Sequence, residues 1–220
     1  KNLFIILYMT IIDDIQTVMN LEEYDDSYLL TYTGTGISDI NLPFYFDNAQ
    51  YLGAIGAFDL ASSFLDNVSY NFTISYKTYI GEVASDEISL GSYSDIPNNL
   101  LKIQNVNWNE IDFLVVKISS LNSNLTCKGL HFNLFDGTSR VTKTGFVGIK
   151  TSRQIGQNIE NLKLINMPEE SRGTFENCQD LEIWIDDNSG LELLDTNLTN
   201  LSNCFRDCTT FNGDISNWDT

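Results

Sequence analysis

Residues 201–220, LSNCFRDCTTFNGDISNWDT, repeat an apolar spacing that also occurs upstream in TFENCQDL, at residues 174–181. When the two stretches are aligned, three apolar pairs lie 30 residues apart: Phe175 and Phe205, Cys178 and Cys208, and Leu181 and Phe211. Recurrence at a fixed offset is typical of stacked repeats, in which each unit buries one face against its neighbours. Such arrays bind or bridge other molecules and rarely carry catalysis. The spacing therefore indicates a class of protein rather than a particular partner.

The same stretch resembles the signature MxxMFxxAxxFNxDIxxWD of BspA-like leucine-rich-repeat surface proteins. The matching positions are Leu201, Cys204, Phe205, Cys208, Phe211, Asn212, Asp214, Ile215, Trp218 and Asp219. Leu201 and Cys204 replace the usual Met, and Cys208 replaces the usual Ala. The resemblance covers about residues 160–220 and implies leucine-rich-repeat-like β-solenoid units from residue 163. Proteins with such repeats are surface adhesins of bacteria, mycoplasmas and protists, and they also occur in large DNA viruses.

We expect the first nine of these residues, from Leu201 to Trp218, to form the apolar core of the repeat. We also expect further repeats to follow Thr220, because this position falls in the middle of a repeat period. Asn212 and Asp214 stand between apolar residues, which favours side chains that satisfy buried backbone groups. The alternative is that both residues simply begin a turn in solvent.

Short strand-like segments follow one another between about residues 27 and 150, separated by Gly, Asn, Asp or Ser. The segments are SYLLTYT (27–33), INLPFYF (40–46), YLGAIGAF (51–58), VSYNFTISY (68–76), DEISLGSY (86–93), DFLVVKIS (112–119), KGLHFNLF (128–135) and RVTKTGFVGIK (140–150). This pattern predicts an antiparallel β-sandwich of the jelly-roll type. Alternation within the segments predicts burial of Leu52, Ile55, Phe58, Phe72, Ile74, Leu114, Val116 and Phe132. Residues 96–111 are predicted to contribute one short helix.

The order of these segments is also similar to that in jelly-roll minor capsid and penton-like proteins of polinton-like viruses, virophages and related large DNA viruses. The residues that carry this second resemblance are DINLPFYF (39–46), YLGAI (51–55) and ISLGSY (88–93). We therefore predict a jelly-roll domain at residues 1–150, a polar connector at 151–162 and the start of the repeat region at 163–220.

Residues 3–12, LFIILYMTII, form the longest apolar run, which is too short to span a bilayer. Its β-branched and aromatic content predicts a buried strand, or an arm that pairs with a neighbouring subunit. The residues of the possible subunit-contact arm are Leu3, Phe4, Ile5, Ile6, Leu7 and Tyr8.

The net charge of −18 argues against binding to nucleic acid or to an anionic membrane surface. The sequence carries no P-loop, G-x-G-x-x-G or H-E-x-x-H motif, and the one histidine, His131, lies in a strand-like segment. Cys178 and Cys208 occupy equivalent positions in the repeat, which favours reduced thiols in a core. We predict no enzymatic activity, no cofactor and no specific metal site. Calcium binding by clustered carboxylates is the alternative role of the acidity.

Taken together, these features favour a viral structural protein of the capsid exterior, at a vertex, a penton or a spike base. Its repeats would present a host-attachment surface for a receptor or glycan. We expect a homo-oligomer that also contacts neighbouring capsid proteins, without membrane insertion. The alternative is a cellular surface adhesin, bacterial or protist, in which a β-sandwich precedes a repeat stalk. A lectin-like module, with Tyr70, Tyr76 and Tyr79 exposed on one face, is a third possibility.

Overall fold

The computed structural model describes residues 2–21, 27–34, 36–43, 72–93, 102–120, 141–151, 175–186 and 205–213. Over these residues the protein is mainly β, with one helix packed on a mixed seven-stranded sheet. The elements are α1 (Asn2–Leu21), β1 (Ser27–Thr33), β2 (Ile40–Asn41), β3 (Phe72–Ile80), β4 (Val83–Ala84), β5 (Ile88–Tyr93), β6 (Lys102–Ile103), β7 (Phe113–Ser120), β8 (Phe146–Thr151) and β9 (Ile183–Asp186).

The large sheet has the strand order β4-β3-β7-β1-β8-β9, and β5 also pairs with β3. All neighbours are antiparallel except β8 and β9, which run parallel. Strands β2 and β6 form a separate two-stranded sheet. The strand-like segments at 27–33, 68–76, 86–93, 112–119 and 140–150 therefore contain strands, as the sequence predicts. The segments at 51–58 and 128–135 lie outside the described residues.

The centre of the sheet is covered on both faces, because apolar side chains of β1 and β7 alternate between two buried clusters. Leu30 and Val116 belong to one cluster, whereas Leu29 and Val115 belong to the other. A strand buried on both faces needs apolar residues at successive positions. This requirement explains the unbroken run FLVV that opens β7.

Helix α1 covers one face of the sheet through Ile12, Ile15, Val18 and Met19. The prediction of a strand over residues 3–12 is therefore wrong. Apolar residues fill nearly every position of that run, so its own pattern cannot separate a strand from a buried helix. The buried positions from Ile12 onward instead recur at intervals of three or four residues, which places them on one face of a helix.

The helix lies close to the sheet at Gly148. The pairing of β1 with β8 shifts register beside Thr31, so this part of β8 contains a bulge. A Cβ atom at Gly148 would lie 3.1 Å from the Cβ atom of Ile183 and 3.3 Å from the Sδ atom of Met19. The absence of a side chain therefore allows the helix to approach the β8–β9 pair. The Thr31 hydroxyl donates to the same Met19 sulfur at 3.2 Å.

The opposite face of the sheet packs against the β2–β6 pair and against residues 175–181. Ile40 and Ile103 share a buried cluster with Leu30, Phe175 and Leu181. The sheet also continues through the β8–β9 pair, so core and sheet both extend to either side of residues 151–162. Thr151 is the last residue of β8, whereas residues 152–162 lie outside the described part of the chain, and the division into domains stays a prediction.

Other predictions have mixed outcomes. Ile74, Leu114 and Val116 are buried, as predicted. The side chains of Leu52, Ile55, Phe58, Phe72 and Phe132 lie outside the described part. The predicted short helix is wrong over residues 102–111, which form β6 and a turn. Two long-range hydrogen bonds account for this difference. The Val106 N–H donates to the Ser38 carbonyl, and the Asn105 N–H donates to the Asp39 carboxylate. These contacts hold the segment in an extended conformation.

Candidate functional sites

Two turns that are 30 residues apart in sequence adopt the same backbone conformation. In the first turn the N–H of Cys178 bonds to the carbonyl of Phe175 at 2.9 Å, and in the second the N–H of Cys208 bonds to that of Phe205 at 3.2 Å. The next bond is also repeated, from Leu181 to Cys178 at 3.2 Å and from Phe211 to Cys208 at 3.3 Å. We call residues 175–181 and 205–211 the first and second repeat turns.

Both turns contain a residue with left-handed backbone at the same position. Asn177 has a φ of 64° and Asp207 has a φ of 59°. Asn and Asp tolerate this conformation better than other residues with a Cβ atom, because their short polar side chains bond locally. The alignment of ENC with RDC thus places compatible residues where the turn requires them.

The two repeat turns are hydrogen-bonded side by side. The backbone N–H of Asn177 donates to the carbonyl of Arg206 at 2.8 Å. The hydroxyl of Thr210 lies 2.7 Å from the Gln179 carbonyl and 3.0 Å from the Leu181 carbonyl, and the Thr209 hydroxyl lies 3.3 Å from that of Gln179. The hydroxyls of the second turn therefore satisfy backbone acceptors of the first.

The role expected of Asn212 is thus filled by other residues. The Asn212 side chain is exposed, and no hydrogen bond is found for it within the described residues, so its predicted inward orientation is wrong. The hydroxyl of Thr210, the residue before Phe211, bonds instead to the Gln179 and Leu181 carbonyls of the first turn. Asp214 lies outside the described residues.

Aromatic rings stack between the turns. The rings of Phe175 and Phe205 are nearly parallel with centroids 5.4 Å apart, and those of Phe205 and Phe211 have centroids 4.4 Å apart. Trp184 of β9 meets these three rings edge-on, with centroid distances of 5.6, 6.0 and 5.6 Å to Phe175, Phe205 and Phe211. Such edge-on and offset contacts are the favoured geometries of aromatic pairs. The β9 indole therefore joins the turns to the sheet.

Burial decreases from the first turn to the second. Phe175, Cys178 and Leu181 are buried, as predicted, whereas Phe205, Cys208 and Phe211 are only half-buried. The second turn thus has one apolar side against the first turn and another that remains partly open. Of the other predicted repeat-core residues, Leu201, Cys204, Ile215 and Trp218 lie outside the described part.

Neither Cys178 nor Cys208 forms a disulfide bond. The Cys208 thiol donates to the Phe175 carbonyl at 3.0 Å, so Cys208 is the third residue of the second turn, after Thr209 and Thr210, whose side chain bonds to the first turn. Burial raises the pKa of the Cys208 thiol, and the nearby Cys178 backbone and Lys143 ammonium only partly offset this effect. A raised pKa favours the protonated thiol and makes it a poor nucleophile.

Charged groups also join the turns. The side chain of Glu176 is only 8% exposed, and its carboxylate lies 3.5 Å from the guanidinium of Arg206. Lys143, just before β8, donates from its ammonium to the Glu176 carbonyl at 2.6 Å. The partly buried Arg206–Glu176 pair connects the two turns, and Lys143 connects the first turn to the sheet.

A cleft of about 840 Å³ lies beside the repeat turns. Its walls come from the end of β1 at Thr33, the turn around Trp108, and Asp180 and Thr210 of the two repeat turns. The Trp108 indole N–H donates to the Ile37 carbonyl. Sequence reasoning missed Trp108, because the segment around it was predicted as a helix.

The described residues contain no cluster of three or more His, Cys, Asp and Glu side chains that could hold a metal ion. His131 and Tyr70 lie outside the described part, and so do residues 187–190 of the stretch DDNSG (186–190), which contains two adjacent carboxylates. Tyr76 is half-buried and Tyr79 is buried against Phe113, with ring centroids 4.8 Å apart, so Tyr79 is not available as an exposed lectin-type aromatic. Over the part of the chain that the structure describes, no helix is long and apolar enough to cross a membrane.

Comparison with known proteins adds no further assignment: no protein-family model, no curated protein sequence and no solved structure matches the chain.

Proposed function

We propose that the protein is a structural protein of the viral capsid exterior, at a vertex, a penton or a spike base, whose repeats present a host-attachment surface. The observation that supports this proposal best is the stacking of two turns with the same hydrogen-bond pattern, the first of which packs in the core of the sheet. In a repeat array each unit is stabilised by its neighbours, so a first unit that is anchored in the core of a sheet can stabilise the units that stack on it.

The second repeat turn carries the features expected of a binding surface. Arg206, Asp207, Thr209 and Asn212 are exposed on a backbone that hydrogen bonds to the first turn hold in place. Because this backbone is already ordered, only the side chains lose conformational entropy when a partner binds. The half-buried rings of Phe205 and Phe211 leave room for one more unit to stack, which is how a repeat array grows.

The finer fold that we propose is a jelly-roll sandwich over residues 1–150, followed by leucine-rich-repeat-like solenoid units from residue 163. The β2–β6 pair supports a sandwich, since it lies across a shared core from the antiparallel strands β7, β1 and β8. The repeat turns support a solenoid, since equivalent residues stack at a fixed offset.

Attachment is tested with particles that carry substitutions rather than a truncation. Removal of residues from 160 onward would also remove Phe175, Cys178 and Leu181 from the core of the sheet. The triple variant Arg206→Ala, Thr209→Ala, Asn212→Ala changes three exposed side chains and is expected to lower cell attachment. Because Arg206 and Thr209 also contact the first turn, its thermal unfolding is measured beside attachment, and Asn212→Ala alone, which leaves those contacts in place, is compared with it. The matched control is Glu82→Ala with Asp86→Ala, which changes exposed residues of the β3–β4–β5 edge.

Unchanged attachment by the triple variant would contradict the receptor-binding role. Recovery of the chain from a cell envelope rather than from purified particles would favour the cellular adhesin instead. The proposed homo-oligomer is tested separately by mass photometry of an Ile5→Glu, Leu7→Glu variant. Both residues lie in α1, within the predicted contact arm Leu3–Tyr8, and we expect the variant to be a monomer.

A further inference from the structure

The cleft beside the repeat turns has the size of a ligand-binding site. Its volume of about 840 Å³ lies within the range of roughly 300–1,000 Å³ that small-molecule sites occupy. It lies where the end of β1, the turn before β7 and both repeat turns converge. Because these elements share hydrogen bonds and a core, the cleft has walls that are fixed relative to one another.

One part of the cleft wall is apolar and another part is polar without charge. Ile11, Ile111 and Val147 line it together with the half-buried indole of Trp108. The polar residues Thr33, Asn109 and Thr210 line it as well. A wall of this mixed kind suits a ligand with both C–H surfaces and hydroxyl groups, since such a ligand can replace the hydrogen bonds that polar groups of the wall make with water.

The charged groups in the wall restrict the ligand further. Asp112 and Asp180 are the ionisable residues among the described lining residues, which include no Lys, Arg or His. One oxygen of Asp112 accepts from the N–H of Gly81 at 2.7 Å, and one of Asp180 accepts from that of Gly145 at 2.8 Å. Each carboxylate is therefore fixed in place and can accept a further bond from a ligand hydroxyl. An anionic ligand would be repelled.

Trp108 is held in position before any ligand arrives. Its N–H bonds to the Ile37 carbonyl, and a Cβ atom at Gly34 would lie only 2.9 Å from the Cβ and Cγ atoms of Trp108. Gly34 thus allows the indole to pack directly on the backbone. A fixed aromatic surface costs little entropy on binding, which favours it as an anchor.

We propose that this cleft binds a neutral oligosaccharide, with the Trp108 ring against a C–H face of a sugar and Asn109, Asp112 and Asp180 bonded to its hydroxyls. This inference deepens the proposed attachment function, on which its biological meaning rests. It places a saccharide site where the sheet meets the repeat turns, with Thr210 in its wall, rather than on Arg206, Asp207, Thr209 and Asn212.

The first test uses the purified full chain on an array of immobilised oligosaccharides. We expect binding to neutral oligomers of hexose or N-acetylhexosamine and none to sialylated or sulfated ones. The affinity for the best neutral oligomer is then measured by titration calorimetry. Trp108→Ala is expected to weaken binding by at least about tenfold, because the half-buried indole would become fully covered by the sugar. Glu82→Ala, on a distant hairpin, is the control.

Two further variants keep the test decisive if Trp108→Ala fails to fold. Asn109→Ala changes an exposed turn residue and is expected to weaken binding several-fold. Asp112→Asn with Asp180→Asn keeps an acceptor for each backbone N–H but removes both charges, and is expected to weaken saccharide binding by about tenfold without abolishing it, because the amide groups still bond to sugar hydroxyls. No neutral oligosaccharide bound at millimolar concentration, or binding unchanged by Trp108→Ala and Asn109→Ala, would overturn the proposal.

A cationic ligand would give a different result. Spermidine bound in place of sugars, with binding lost in the double Asn variant, would also overturn the saccharide proposal. The role of the cleft in attachment is tested separately. If the cleft variants abolish sugar binding but particles that carry them attach normally, the cleft is a saccharide site that does not contribute to attachment.

Discussion

Phe175 and Phe205 lie face to face, with their ring planes inclined by only 5° and their centroids 5.4 Å apart. The two residues occupy the same position in turns that are 30 residues apart. Phe175 is buried in the core of the sheet, whereas Phe205 is half-buried. The Phe175 ring is therefore part of the core of the sheet, and the Phe205 ring belongs to the turn that stacks on that core.

This difference in burial predicts different costs of truncation. Phe175→Ala should lower the free energy of unfolding by about 3–5 kcal/mol, because it opens a cavity in the core. Phe205→Ala should cost less, about 1–2 kcal/mol, since part of its ring already contacts water. Urea denaturation of the two variants measures both values. Equal losses would contradict the view that the second turn is the open end of the stack.

The left-handed residues of the repeat turns provide a second prediction. Asp207→Gly and Asn177→Gly should leave stability nearly unchanged, because glycine adopts positive φ without strain. Asp207→Ala and Asn177→Ala should each cost about 1 kcal/mol, since a Cβ atom disfavours this conformation. Thermal unfolding of the four variants checks the comparison. An alanine variant as stable as its glycine counterpart at either position would refute the equivalence of the turns.

Much of the sheet and of the repeat could be predicted from the sequence. The strands around Leu30 and Val116 follow from their apolar patterns, and the pairing of Phe175 with Phe205 follows from the 30-residue offset. Both signals are local or periodic. Both depend on the pattern of apolar side chains, which determines which positions are buried however the strands are connected.

Other features depend on contacts that local patterns do not contain. The helix at residues 2–21 becomes recognisable only from Ile12 onward, where one face alone is apolar. The parallel pairing of β8 with β9 joins segments separated by a predicted connector, and no local signal reports it. Trp108 was missed because an extended segment held by distant partners was read as a helix.

A third prediction concerns the hydroxyl of Tyr32. It is fully buried, and no hydrogen-bond partner is found for it among the described residues. A buried hydroxyl without a partner destabilises the folded state by about 1–3 kcal/mol. Tyr32→Phe should therefore keep or raise the free energy of unfolding at pH 7. A loss of more than 1 kcal/mol in urea denaturation would show that the hydroxyl has a stabilising partner.

The same residue predicts sensitivity to alkali. Burial, together with the nearby Cys178 thiol, raises the pKa of Tyr32 well above its ordinary value of 10.0. Ionisation above that pH is thus easier in the unfolded chain, and the stability contributed by the neutral form falls as pH rises beyond about 10. Between pH 8 and pH 11 the wild type should lose more stability than Tyr32→Phe. Parallel losses in the two proteins would contradict this assignment.

The two described cysteines should resist alkylation in the folded protein. Cys178 is buried, and the raised pKa of Cys208 lowers the fraction of reactive thiolate. Iodoacetamide at pH 8, followed by peptide mass spectrometry, should modify both residues slowly in buffer and rapidly in urea. We also expect Cys204 and Cys208 to stay reduced and free of metal. A disulfide or bound zinc at Cys208 would refute its role as a donor between the turns.

The last prediction concerns the attachment of α1 to the sheet through Lys150. This lysine is only 2% exposed, and its ammonium donates to the carbonyl of Met19 in the last turn of the helix. Carbonyls in that turn have no partner within the helix, so the ammonium satisfies one of them and also favours the negative end of the helix dipole. Lys150→Met should therefore cost about 1.5–3 kcal/mol, the value of a hydrogen bond to a charged group.

Hydrogen exchange separates this local role from a general loss of packing. In Lys150→Met the amides of residues 16–21 should exchange faster than in the wild type. The exchange rate of the β7 amides should change only as much as the global free energy of unfolding predicts. Lys117→Met, at a half-buried position of β7, is the matched control and should leave the helix amides unchanged. If both variants protect the end of the helix equally, the contact with Met19 does not anchor it, and the packing of Ile15 and Met19 on the sheet is then sufficient to hold α1 in place.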